Sequence, residues 1–184
     1  MESIIMGSTY IALLRGINVS GQKKIKMAEL RAVLEDSGLQ NVQTYIQSGN
    51  IVFESDNADR EKLQQIIATA IRQHFGFNVP TLVMQKKSIR QILKVNPFAN
   101  EGEESKLYYV LLKSPPEKEL VQQFEQLHFD YEDSHITDNC VYLLCKNGYG
   151  KAKLNNNLIE KKLKVEATTR NQKTMQKLLE MTSD

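Results

Sequence analysis

An α+β fold with antiparallel sheets is what this 184-residue sequence predicts. Three observations carry it. Short β-branched and aromatic runs alternate with stretches whose apolar residues recur at helical spacing. The order strand, helix, strand, strand, helix, strand occurs once and then repeats as a pattern, without residue identity between the halves. With 41% hydrophobic and 25% charged residues, the chain is long enough for one core or two small ones.

Tyr10 to Arg15 is apolar on both faces until the arginine, the mark of a central strand. Gly16-Ile-Asn-Val-Ser-Gly21 is a glycine-bracketed loop. Met27, Leu30 and Leu34 then recur at helical spacing, and Gly38 is a helix stop. Val42 to Ile46 carries polar Gln43 and Thr44, as an edge strand does. Ser48-Gly49-Asn50 turns the chain into Ile51–Phe53, so these two strands form a hairpin. Asp56-Asn57 is expected to cap a helix with the stripe Leu63, Ile66, Ile67, Ala70 and Ile71, ended by Gly76. Val79 to Met84 is a fourth strand, which Pro80 assigns to an edge. This βαββαβ order is the ferredoxin-like plan.

Ile89, Ile92 and Leu93 mark a short helix that stops before Asn96-Pro97, and Asn96 to Ser105 reads as a linker. The plan then recurs. Leu107–Leu112 is a strand, and Pro115-Pro116 opens a helix carrying Leu120, Phe124 and Leu127. Phe129–Glu132 and Val141–Leu144 are expected strands joined through Ser134–Asp138. Leu158, Ile159 and Leu163 lie on a further helix, and Val165–Ala167 is a brief strand. Met175, Leu178 and Leu179 line a last helix, capped by Thr169 or Asn171. The expected organisation is two ferredoxin-like repeats: a first half at 8–85, a short helix and linker at 86–105, and a second half at 106–184.

Charge narrows the function classes. Lys and Arg number 24 and Asp and Glu 22, a net of +2, which excludes a histone-like or strongly acidic chain. The basic excess is local: residues 146–184 hold nine basic and four acidic side chains. Lys161, Lys162 and Lys164 there read first as a solvated helical face. No apolar run reaches the ~18 residues of a membrane span, so no membrane role is expected. Met1 to Ser8 lacks the features of a signal peptide. Cys140 and Cys145 sit an odd number apart in one strand, so their sulfurs face opposite sides and neither bridge nor share a metal. They read as buried thiols in a reducing, cytoplasmic compartment. His74, His128 and His135 have no partner at ligand spacing. No zinc-protease helix, P-loop, dinucleotide fingerprint or nucleophile elbow is present, so neither metal nor cofactor is expected.

Chain direction indicates where a site could form. In a strand–helix–strand crossover the two strands run parallel. The loop after the first strand, Arg15 to Asn18, and the turn after the second, Gln47 to Asn50, therefore emerge at one end of a sheet. Arg15 offers a fixed fork for phosphate or carboxylate, and Asn18, Ser48 and Asn50 offer hydrogen bonds. Gly16 and Gly49 let backbone N–H groups approach a ligand; Lys23 and Lys24 follow. The bland alternative has the glycines only turning the chain and Arg15 paired with a carboxylate. A second candidate is Gly148-Tyr-Gly-Lys151, read as the start of a helix, where an anion is favoured. A third is Thr168-Thr-Arg-Asn171, where Arg170 and Asn171 open the last helix. The tyrosines at 45, 108, 109, 131, 142 and 149 read as sheet packing before base stacking.

These segments also carry a resemblance. Tyr10-Ile-Ala-Leu-Leu-Arg-Gly-Ile-Asn-Val-Ser-Gly21, Lys26-Met-Ala-Glu-Leu-Arg31, Thr44-Tyr-Ile-Gln-Ser-Gly-Asn-Ile-Val-Phe53, Asn96-Pro-Phe98, and Tyr149-Gly-Lys151 with Ala167-Thr-Thr-Arg-Asn171 resemble the bacterial family catalogued as a domain of unknown function, family 1697. The likeness spans Tyr10 to Met181. It implies two ferredoxin-like repeats and no established activity. Arg15, Gly16, Asn18, Ser48, Gly49, Asn50, Gly150, Lys151, Arg170 and Asn171 all fall at motif positions. In one place the chain departs from the pattern: Gln172 stands where a tryptophan usually follows the Arg-Asn pair.

The leading expectation is a binding protein for a small anionic or nucleotide-derived ligand. The ligand-contacting residues would be Arg15, Asn18, Ser48, Gly49, Asn50, Lys151, Arg170 and Asn171. An enzyme acting on such a ligand, nucleic-acid binding through the basic C-terminal section, and a homo-oligomer joined by sheet edges are the alternatives. The sequence does not decide the oligomeric state.

Overall fold

A computed structural model describes residues 7–182. The opening stretch Met1–Met6, on which the expectation about a leader rests, lies outside the described residues. The chain divides into two units: one up to Arg90, joined by residues from Lys177 onward, and another formed by Gln91–Gln176.

The first unit runs β1 (Ser8–Leu14), α1 (Met27–Asp36), β2 (Gln40–Tyr45), β3 (Asn50–Ser55), α2 (Arg60–Phe75) and β4 (Thr81–Gln85). Its sheet has the order β2-β3-β1-β4, with every neighbouring pair antiparallel. Alternation sends Tyr10, Ala12 and Leu14 of β1 to the helical side. There they pack with Leu30 and Leu34 of α1 and with Leu63, Ile67 and Ile71 of α2. Ile11 and Leu13 on the opposite face are also buried, which explains why this strand reads apolar throughout.

The two edge strands are handled differently. β2 slips register between Gln40 and Gln43, with Asn41 at φ 50°, and such a bulge disfavours pairing with a foreign strand. On the other edge, the buried Gln64 of α2 accepts a 2.9 Å hydrogen bond from the Val83 N–H of β4. Asp59, not Asp56 or Asn57, caps α2, accepting from the Lys62 N–H at 3.2 Å. Asn57 lies two residues too early and instead accepts from the Asp59 N–H at 2.9 Å.

α3 (Lys86–Lys94) follows β4 directly. The second unit then runs β5 (Leu107–Leu112), α4 (Lys118–Glu125), β6 (Glu132–Ile136), β7 (Cys140–Cys145), α5 (Asn156–Leu163) and β8 (Ala167–Asn171), after which α6 (Gln172–Met181) begins. Its sheet order, β6-β7-β5-β8, again with antiparallel neighbours, reproduces the first. Val110, Val141, Leu143 and Cys145 pack with Phe124, Leu154, Ile159 and Leu163. Both units thus carry the ferredoxin-like βαββαβ plan expected from the element order.

Several element boundaries differ from expectation: α4 ends at Glu125, so Leu127 lies beyond it, and three others bear on the candidate sites. β6 occupies 132–136, so the stretch read as its connection is itself strand. Glu132 starts it because its buried carboxylate accepts the Lys153 and Leu154 N–H groups, fixing the chain ahead of α5. Gly148-Tyr-Gly-Lys151 is a 3-10 turn rather than the start of a helix; α5 begins at Asn156 with Asn155 as its cap. Thr168 to Asn171 lies in strand β8, because its backbone pairs with Tyr108 to Leu111 of β5.

Candidate functional site

β1 and β2 are both antiparallel to β3, so their C-terminal ends coincide. The Leu14 N–H donates to the Gly49 carbonyl at 2.8 Å, which joins the loop after β1 to the hairpin tip. The Arg15 N–H donates to the Pro80 carbonyl at 3.0 Å, which brings in the segment before β4. Three segments, 15–26, 45–50 and 76–80, therefore form one rim of the first sheet.

The loop after β1 is a small hairpin. The Asn18 N–H donates to the Lys23 carbonyl at 3.1 Å and the Gln22 N–H to the Val19 carbonyl at 3.0 Å. Ser20 and Gly21 at its tip have φ values of 51° and 73°, the signature of a type I′ turn. The asparagines predicted as ligand contacts build this rim. Asn18 Nδ2 donates to the Gln47 carbonyl at 2.8 Å and the Ile25 carbonyl at 3.0 Å, while its Oδ1 accepts from the Ile25 N–H at 2.8 Å. Asn50 is fully buried, and its Nδ2 donates to the Tyr45 carbonyl at 3.1 Å and Ser48 Oγ at 2.8 Å.

Gly49 has a packing reason beside its φ of +86°. A Cβ there would lie 2.5 Å from Leu14 Cβ and 3.1 Å from Leu14 Cγ. Gly16, at φ +74°, has nothing within 4 Å of such a Cβ and meets a purely conformational demand.

The charged side chains of these three segments are all basic. Its three segments contain Arg15, Lys23, Lys24 and Lys26 and no Asp or Glu. Arg15 is partly exposed, and Ser48, Lys24 and Lys26 are exposed. Lys23 Nζ donates to the Asn78 carbonyl at 2.8 Å, tying the first segment to the third. α1 starts on the same rim, and its N-cap Lys26 supplies no side-chain acceptor to the first N–H groups. The 76–80 segment is a wall that the sequence reading did not include. Its signal was the antiparallel entry of β4 next to β1.

The other candidates lie in the second unit, at one end of its sheet, where Leu107 of β5 faces Leu144 and Tyr108 faces Asn171. Lys151 is exposed on the 3-10 turn, beside a shallow cleft also lined by Asp130, Tyr131 and Glu132. Acidic groups thus share that cleft with the lysine. Tyr149 of the turn stacks on Tyr108 at 4.9 Å, and its hydroxyl accepts from the Asn156 N–H at 2.9 Å. Arg170 is buried within β8, not exposed at a helix start. It donates to Thr168 Oγ1 at 2.8 Å and the Thr169 carbonyl at 2.9 Å. Burial lowers its pKa to about 10, so it stays cationic at neutral pH. Asn171 caps α6, accepting from the Thr174 N–H at 2.8 Å. Thr169 instead donates to Asn156 Oδ1 at 2.8 Å and links β8 to α5.

Gln172 has a defined partner. The Tyr109 hydroxyl donates to Gln172 Oε1 and accepts from Asn96 Nδ2 at 2.9 Å. The Asn-Pro-Phe segment and the residue after the Arg-Asn pair therefore meet at one buried tyrosine. Cys140 and Cys145 are free and buried, and only Cys145 joins the helix-side core, as alternation requires. Burial pushes the Cys145 thiol up to about 12, aided by Glu132, and burial raises Cys140 as well. Both are neutral thiols near pH 7 and poor nucleophiles. Among the described residues, no three His, Cys, Asp or Glu side chains gather to hold a metal ion. None of the described helices is long and apolar enough to cross a membrane.

Among solved structures, the chain is similar to the conserved bacterial protein SP0830 from Streptococcus pneumoniae, with 22% identity and a TM-score of 0.73 over 97% of this chain and 99% of that one. At this identity the likeness speaks for the fold alone. No functionally curated protein matches the chain. A family model described as Protein of unknown function (DUF1697) matches residues 7–142, most of the length, and the chain belongs to that family.

Proposed function

We propose that the rim formed by 15–26, 45–50 and 76–80 binds a small anionic ligand. One observation carries the reading: three segments meeting at one sheet end contribute four cations and no carboxylate. Arg15 supplies a planar fork, Lys24 a mobile ammonium, and Ser48 a hydroxyl. Asn18 and Asn50 act as positioning residues, holding the two loops together while their amides contact backbone. The same segments contain no His, Cys, Asp or Glu, so an enzymatic role would have to move protons through their lysines or Tyr45, and binding is the simpler reading. The nucleic-acid alternative rests on the C-terminal lysines. Lys161 and Lys162 lie in the last turn of α5 and Lys164 is its C-cap, where cations complement the helix dipole without any partner.

The test is calorimetric titration of the full chain with pyrophosphate at low salt, alongside Arg15→Ala and Lys24→Ala. Removing one charged hydrogen-bond donor costs about 1.5–3 kcal/mol, so Arg15→Ala is expected to bind ten-fold or more weakly while still melting cooperatively. No binding by the wild type, or equal binding by Arg15→Ala, refutes the reading.

A further inference from the structure

Two large aliphatic side chains stand in solvent on this rim: Val19 at 56% and Ile46 at 52% exposure. Single exposed aliphatics are ordinary on a protein surface. These two are not independent of the site. Val19 neighbours Asn18 and Ile46 neighbours Gln47, and Asn18 Nδ2 bonds the Gln47 carbonyl at 2.8 Å. Ile46 is also conformationally unusual, because its φ is +48°. A β-branched residue in the left-handed region is disfavoured by its own Cβ.

Ile46 is held there from both sides. Asn50 Nδ2 takes the Tyr45 carbonyl before it, and Asn18 Nδ2 takes the Gln47 carbonyl after it. Glycine or asparagine would occupy such a position at less cost. Strain maintained by surrounding structure, with the side chain left in water, is the pattern of a functional contact.

We infer that the ligand of this rim is a soluble phosphate ester whose hydrocarbon part lies over Ile46 and Val19, while its phosphate meets Arg15 and the neighbouring lysines. The inference rests on the anion-binding reading and specifies its ligand. Charge complementarity selects the anionic head. The pair of aliphatics selects an ester over inorganic phosphate. Two side chains present too little apolar surface to seat the rim in a bilayer, so the free ester is the occupant rather than a lipid headgroup.

The experiment compares methyl phosphate with n-butyl phosphate by calorimetry on wild type, Ile46→Gly and Val19→Ser. Partial burial of each methylene is worth about two-fold, so the butyl ester is expected to bind the wild type roughly eight-fold more tightly. In Ile46→Gly that ratio falls toward one while methyl phosphate binding persists and the melting temperature holds or rises. Equal affinity of the two esters for the wild type overturns this inference and leaves the anion site standing. An alkyl preference that survives both substitutions also overturns it, since the hydrocarbon then lies elsewhere. Failure of both esters to bind a chain that binds pyrophosphate overturns this inference alone, and failure of pyrophosphate as well overturns both readings. Cosedimentation with phosphatidic acid vesicles in preference to butyl phosphate overturns the choice of a soluble ligand.

Discussion

Replacing Gly49 by alanine tests whether the hairpin tip is set by packing as well as by turn geometry. Two terms act. At φ +86° an alanine pays about 1–2 kcal/mol for the left-handed conformation. Its Cβ would also lie 2.5 Å from Leu14 Cβ, a distance real contacts do not show, so strand or tip must shift. Overpacking of this kind costs about 1–3 kcal/mol, and the total is about 3 kcal/mol. Gly16→Ala is the matched control: its φ is +74°, and nothing lies within 4 Å. Both substitutions remove the same freedom from the unfolded chain, so the difference between them isolates the clash. Thermal melts should place Gly49→Ala about 10 °C below wild type and Gly16→Ala within a few degrees of it, at about 2–4 °C per kcal/mol for a chain of this size. Equal losses in the two variants would refute the packing argument and leave Gly49 as a turn residue only.

Two further outcomes concern the second unit. Cys145 has a folded-state pKa near 12 against an ordinary 9.0, so the folded chain holds this proton more tightly than the unfolded one. Its stabilising contribution is whole below pH 9 and is lost as pH rises from 9 toward 12, by at most about 1.4 kcal/mol per pH unit. Cys140, Tyr109 and Tyr142 are also raised by burial and act in the same direction. Urea midpoints should therefore stay level from pH 7 to 8.5 and fall above pH 9, less steeply in Cys145→Ala; a level profile to pH 11 contradicts the burial argument. The Tyr109 contact is tested by a double-mutant cycle of Tyr109→Phe with Gln172→Leu. A coupling of about 1 kcal/mol is expected in urea melts, and strict additivity would deny the hydrogen bond any energetic role.

The strands of both units were legible where burial is two-sided or alternation clean. Tyr10 to Leu14 and Cys140 to Cys145 are apolar on both faces, and no helix period fits them. The misplaced elements share a cause: their polar residues are satisfied by partners distant in sequence. Ser134-His-Ile136 reads as a connection after a strand that ends at Glu132, until Glu132 is seen receiving N–H groups from 153 and 154 and starting the strand instead. Thr-Thr-Arg-Asn reads as a cap, and Asn171 is one, yet Thr169 and Arg170 belong to a strand because β5 supplies the ladder. The rim was half legible. Chain direction alone put the Arg15 loop and the Ser48 turn at one end. Nothing local to Asn18 or Asn50 says whether an asparagine amide meets a ligand or a carbonyl. Ile46 carried no signal either, since φ is not written in residue identity.

The roles of the asparagines change what the rim can recognise. An amide left open to a ligand offers both donor and acceptor and would let the site read hydrogen-bond pattern. Here Asn18 has both amide ends on backbone groups of Ile25 and Gln47, and Asn50 donates inside its own turn. Discrimination then falls to groups of different character: long cationic side chains, which read charge with little angular demand, and two aliphatics, which read shape. On the proposed anion-binding reading, a rim built this way would separate anions by valence and by hydrocarbon content, and poorly between sugars or bases that differ in hydrogen-bond pattern. The asparagine hydrogen bonds hold the backbone on both sides of Ile46, and its aliphatic side chain stands in water on the rim that carries the basic residues.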